Sequence, residues 1–163
     1  ARADSLEAAL RAELDSVRAA TAGRPRPSVL YLASLDPPAA AGPGTFIGEL
    51  IDAAGGRNIL DDAGWPWPQV AVEEIVRRRP DVIILSLGGP GAAGAAERLR
   101  TLPGWSDLPA VRHGRVHTVD PDRFNRPGPG VVHAARALMT LLHPEVAGGT
   151  RRAPDRPAGV VAP

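Results

Sequence analysis

The sequence contains no cysteine. A disulfide framework, a thiolate nucleophile and a thiolate metal site are therefore excluded, a composition that suits a cytosolic protein and an exported bacterial one alike. An excess of one charge is also lacking, because 19 Lys and Arg stand against 18 Asp and Glu. Composition thus offers no basic surface for nucleic acid or for an anionic membrane. No apolar run approaches the roughly twenty residues of a spanning helix, and no signal peptide opens the chain. Aromatic residues make up only 4%, so the position of each carries information. Glycine and proline, by contrast, are plentiful, at 18 each in 163 residues. The length suits one loop-rich α/β domain that buries roughly two-thirds of its unfolded surface.

Two of the three tryptophans stand in Gly64-Trp65-Pro66-Trp67-Pro68-Gln69-Val70, each followed by a proline. Proline has no N–H and restricts the residue before it, so neither a helix nor a strand interior accepts this pattern. The spacing predicts a stiffened loop that presents Trp65 and Trp67 as pre-organised flat faces. Capping of the core by the same two rings is the competing reading.

Taken in order, the chain opens in a helix with Leu6, Leu10, Leu14 and Val17 on one face, Asp4 and Glu7 at capping-box spacing and Gly23 at its end. An apolar stripe with nothing before it suggests a start inside a larger protein. Ser28 to Ala33 reads as a buried strand. A Pro/Ala/Gly-rich loop runs from Ser34 to Gly44, and Thr45 then caps a helix that stops at Gly55-Gly56. Asn58 to Leu60 reads as a short extended piece. A helix from about Val72 to Arg79 carries Glu73 and Glu74 in its first turn and arginines in its last, matching its dipole. Asp81 to Ser86 is a second buried strand. Beyond Gly88 to Gly94 a helix is expected over about 92–102, then a helical turn within 105–111. A strand over 115–119, an irregular loop over 120–129 and a last helix over 130–142 complete the pattern. Strands alternating with helices predict an α/β three-layer sandwich with a largely parallel sheet, preceded by a long helix. In such a fold ligands bind where loops leave the strand C-termini, here the loops beginning at Ser34, Leu87 and Asp120.

Three groups of residues invite chemical readings. Gly89-Pro90-Gly91-Ala92-Ala93-Gly94 is a literal G-x-G-x-x-G between strand and helix, the pattern of a dinucleotide site. However, Pro90 removes a donor that a pyrophosphate needs, and the acid Asp120 comes late. The histidines 113, 117, 133 and 143 match no zinc spacing. Ser34, Ser86 and Ser106 lack a nucleophile-elbow setting. No enzyme is indicated. Asp122, Phe124 and Arg126 crowd the loop after the last strand, where an acid and an arginine four apart beside an aromatic suit a polar ligand edge. A local ion pair that stabilises the loop explains them equally well.

Several of these segments together resemble one family. They are Gly44 to Gly56 with Asn58, Trp67-Pro68-Gln69-Val70 with Glu73, Pro80 to Ile84, Trp105 with Leu108 to Val111, Gly114-Arg115-Val116, and Arg126 to Pro129. In this order they resemble the metal-chelate periplasmic binding proteins of bacterial ABC importers, and most closely the vitamin B12-binding members. The resemblance implies two Rossmann-like lobes joined by a long helix, of which 1–23 is the connecting helix, 24–145 the C-terminal lobe and 146–163 a flexible tail. It implies a ligand, cobalamin or a related corrinoid, or else a ferric siderophore or haem, with no cofactor of the protein's own and no metal-ligating side chains. Trp67, Asp122 and Arg126 fall on ligand-lining positions, with Trp65 and Phe124 beside them. Glu73 falls on the glutamate that docks into the membrane permease. The implied partners are that permease and a missing N-terminal lobe, not nucleic acid. The implied location is periplasmic or extracellular, with a lipid anchor possible through the missing part. Two departures stand out: Ala39 where an aromatic is expected, and Ala71 where a capping serine is expected.

Overall fold

The computed structural model describes residues 2–124 and 128–148. Its centre is strand β1 (Ser28–Leu35) beside β4 (Val82–Leu85), paired in parallel with Val29 opposite Val82 and Leu32 opposite Leu85. β5 (Val116–Thr118) continues the sheet in parallel beyond β4. On the other side of β1 two short strands share one flank. β3 (Arg57–Asn58) runs parallel to the start of β1, and β2 (Pro38–Ala40) runs antiparallel to its end. The sheet is thus largely parallel, with its strand C-termini gathered along one edge.

Alternation along β1 and β4 divides the core. Val29, Tyr31, Val82 and Ile84 face one layer of apolar residues, while Leu30, Leu32, Ile83 and Leu85 face the other, and each of these eight residues is fully buried. Burial on both faces is why these strands read as continuous apolar runs. The first layer is closed by α1 (Arg2–Thr21), α2 (Phe46–Ala53) and α7 (Val131–Leu142). The second is closed by α3 (Val72–Arg78), α4 (Ala95–Leu99) and α5 (Pro109–Arg112). This is the three-layer sandwich that the pattern predicts.

Several boundaries differ from expectation. α1 starts at Arg2, so Asp4 lies inside its first turn and does not cap it. The stripe on α1 is covered only towards its C-terminus: Val17 is buried and Leu6 is 49% exposed. The helix expected over 92–102 shrinks to α4, because Gly94 adopts φ +70° before it and Pro103-Gly104 follows. β2 lies within a stretch expected to be loop. The segment expected to be irregular after β5 contains one turn of helix, α6 (Pro121–Phe124), and α8 (Pro144–Gly148) follows α7 directly. Thr45 does cap α2, its hydroxyl accepting from the Gly48 N–H at 3.0 Å.

Candidate ligand-binding edge

The tryptophan loop is bound to β2 by backbone alone. Gly42 N–H donates to the Pro66 carbonyl at 2.8 Å, Ala40 N–H to Pro68 at 3.1 Å, and Val70 N–H to Pro38 at 2.9 Å. Residues 66, 68 and 70 therefore pair against 42, 40 and 38, as in an antiparallel ladder. All three acceptors, Pro38, Pro66 and Pro68, lack an N–H, so the reciprocal bonds are absent and a single bridge, Ala39 with Gln69, is complete. The expected stiff loop is thus the outermost strand-like row of the sheet. Gly42 makes the close approach possible, since a Cβ there would lie 2.5 Å from the Trp65 carbonyl oxygen.

This row leaves both indoles in solvent, Trp65 70% and Trp67 43% exposed. The core-capping reading therefore fails for both rings. Val70, three residues on from Trp67, is buried and anchors the far end. The near end is held by Arg78, which reaches back from α3 to the Ile59 carbonyl at 2.5 Å and to Asp62 at 2.6 Å. Arg77 and Arg78 both bond Glu74, and these contacts, that of Arg77 first, hold its carboxyl below the usual range, as Arg78 does for Asp62. Glu73, the neighbouring acid, is exposed, and among the described residues no cation pairs with it. The two adjacent glutamates thus divide: Glu74 fastens the helix and Glu73 is presented outward.

At the opposite end of the edge, Asp122 lies in the single turn of α6, which begins where its N–H meets the Asp120 carboxylate at 2.9 Å. Asp122 is exposed. Phe124 requires a correction. It is 5% exposed and packed with Val131, Ala135 and Leu138, so its ring belongs to the core and offers no ligand face. Arg126 lies outside the described residues, as does the tail beyond 148. From the tryptophan row across β2, β1 and β4 to β5 there are four inter-strand steps, roughly 19 Å at the usual spacing. A ligand touching both Trp67 and Asp122 must be large.

The glycine-rich loop stands at the middle of the edge, after β4. Gly89 has φ +71°, a short 3-10 turn follows, and α4 begins only at Ala95. Arg98 occupies the carbonyls of Gly91 at 2.8 Å and Ala93 at 3.3 Å. A dinucleotide fingerprint feeds straight into a long helix whose N-terminus holds the pyrophosphate. A five-residue helix behind a clasped loop does not provide that. Of the residues at this edge, sequence reasoning missed Gly42 and gave Gln69 no role of its own. The signal available for Gly42 was its place just after the Pro37-Pro38 pair and a run of alanines.

A protein-family model described as periplasmic binding protein matches residues 1–123. An uncharacterized ABC transporter substrate-binding lipoprotein of Bacillus subtilis is 29% identical over 149 residues, covering 88% of this chain and 45% of the relative. A vitamin B12-binding protein of Photorhabdus laumondii is 32% identical over 99 residues, covering 61% of this chain and 33% of that protein. The solved periplasmic heme-binding protein of Roseiflexus superposes with a TM-score of 0.75 at 28% identity, over 89% of this chain and 57% of its own. The chain thus spans less than half the length of the first two relatives. These proteins bind substrates and are not enzymes. With the sheet and the matched residues in agreement, the chain belongs to the periplasmic binding protein family.

Proposed function

We propose that this chain is the C-terminal, ligand-cradling lobe of an ABC-importer substrate-binding protein, which captures cobalamin or a related corrinoid and hands it to a membrane permease. The observation that carries this reading is Trp67, an exposed indole on a backbone-clamped row at the strand C-terminal edge. A large, partly apolar ring compound needs an aromatic wall and a few distant polar anchors. Trp67 supplies the wall, with Trp65 beside it, and Asp122 with Arg126 the anchors. The vitamin B12-binding relative supports the cargo. A second lobe, N-terminal to α1, closes the cleft. Glu73 is the docking residue, because it is the acid of α3 that no internal arginine holds. The protein works outside the cytoplasmic membrane, and the lipoprotein relative supports an anchor in the part that precedes this chain.

Haem or a ferric siderophore is the second reading, favoured by the heme-binding structure. Calorimetric titration with cyanocobalamin, haemin and a ferric hydroxamate siderophore, run beside Trp67→Ala, decides. Saturable corrinoid binding that weakens about tenfold or more in Trp67→Ala supports the proposal, a loss of about 1.4 kcal/mol or more. Binding of haemin or the siderophore alone replaces the cargo, and binding unaffected by Trp67→Ala removes the site.

A further inference from the structure

The cross-strand register places four residues of three successive rows on one face. Ser34 of β1 pairs with Ala39 of β2, and Ala39 pairs with Gln69 of the tryptophan row. Paired residues project to the same side of a sheet, and residues two apart on one row share that side, so Trp67 joins Gln69. The bonds on either side of the Ala39–Gln69 pair run from Ala40 to Pro68 and from Val70 to Pro38, so Ala39 and Gln69 share none directly. That is the narrow type of antiparallel pair, in which facing side chains come closest.

The result is a small stepped surface. Ala39, half-buried and with only a methyl group, forms the low point. Ser34, also half-buried, puts a hydroxyl on one side, and the exposed Gln69 puts a primary amide on the other. Their backbones stand about 10 Å apart across two inter-strand steps. The Trp67 indole rises next to Gln69, about 7 Å along the row. Among the described residues neither the Ser34 hydroxyl nor the Gln69 amide has a hydrogen-bond partner. Each can donate and accept, so together they suit a group that does both or accepts strongly.

We infer that Ser34 and Gln69, flanking Ala39 beside Trp67, form a recess that receives an amide- or carboxyl-bearing arm of the ligand whose ring stacks on Trp67. The inference rests on the proposed reading of this edge as the ligand site. Position 69 then controls which arms are admitted, because the uncharged amide of Gln69 accepts either kind and a carboxylate there would repel an ionised one. Ala39 sets the depth, because any larger side chain fills the step.

The test uses this chain with cyanocobalamin, whose ring bears amide arms, and haemin, whose ring bears carboxylate arms. Calorimetric titration of Gln69→Ala, Gln69→Glu, Ala39→Leu and Trp67→Ala is compared with the unchanged protein, and thermal melts confirm folding. For whichever compound binds, Gln69→Ala is expected to weaken binding about fivefold and Ala39→Leu at least tenfold. Gln69→Glu is expected to weaken haemin at least tenfold and cyanocobalamin less than threefold. If Trp67→Ala abolishes binding while both Gln69 variants and Ala39→Leu stay within twofold, the recess is overturned and the ligand edge stands. If neither of these compounds nor a ferric hydroxamate siderophore binds the unchanged protein, the recess and the edge fall together.

Discussion

Gly42 and Pro66 are joined by a backbone hydrogen bond of 2.8 Å, at a separation that only glycine permits. The Gly42 backbone itself is ordinary, since its φ is not in the positive region. The constraint is space: a Cβ would sit 2.5 Å from the Trp65 carbonyl oxygen and 3.1 Å from both the Pro66 carbonyl oxygen and the Pro68 ring. None of these is the free end of a side chain. Through this contact the position of both indoles depends on a residue more than twenty places earlier in the chain.

Gly42→Ala is therefore expected to push the tryptophan row off β2, at a cost of about 1–3 kcal/mol. Tryptophan near-ultraviolet circular dichroism and amide exchange at Ala40, Gly42 and Val70 would both change, while exchange in β1 and β4 would not. Unchanged exchange at Ala40 and Val70 would show that the row can shift without detaching.

Phe124→Ala tests the reassignment of that ring to the core. Removing a buried phenyl group costs about 3–5 kcal/mol, so the melting temperature should fall by many degrees. A loss of ligand affinity with no loss of stability would return Phe124 to the site.

Sequence legibility followed burial. Val82 to Leu85 and Val29 to Leu32 announce themselves because both faces are covered, and Thr45 announces α2 because a cap has its own chemistry. Trp65 and Trp67 were legible as a stiff exposed loop from their prolines. Their attachment to β2 was not, because it depends on carbonyls that any residue carries and on the absence of a Cβ at Gly42. Phe124 misled because an aromatic between Asp122 and Arg126 has the same letters whether it points to solvent or to α7. Only packing against Val131 and Leu138 decides that.

Alkaline stability should report on Tyr31. Burial pushes its phenol up to about 12, with the Ser86 hydroxyl pulling in the other direction. In the unfolded chain the phenol ionises near its ordinary value of about 10. The unfolded state then binds fewer protons than the native one, so the stabilisation is complete below about pH 10 and is lost as pH rises towards 12. Urea midpoints measured from pH 8 to 12 should fall above 10, and Tyr31→Phe should flatten that fall.

Ala71 is the N-cap of α3 in an extended conformation, φ −65° and ψ 145°, with no side-chain bond to the helix. Ala71→Ser supplies the missing acceptor for an N–H of the first turn and is expected to stabilise the protein by about 1 kcal/mol. A higher urea midpoint with an unchanged slope checks it. No gain would mean that the first turn, with Glu73 and Glu74 in it, is already satisfied by water.

Ligand is expected to meet the edge formed by the tryptophan row and the loop after β5. A groove of about 610 Å³ beside α2, lined by Arg18, Asp52 and Arg57 and reaching Gly42, offers the alternative place. Hydrogen-exchange mass spectrometry with and without cyanocobalamin separates the two. Slower exchange at 65–70 together with 119–124, and none at 49–57, is the predicted footprint. Protection confined to 49–57 would contradict the account and move the site to the α2 groove.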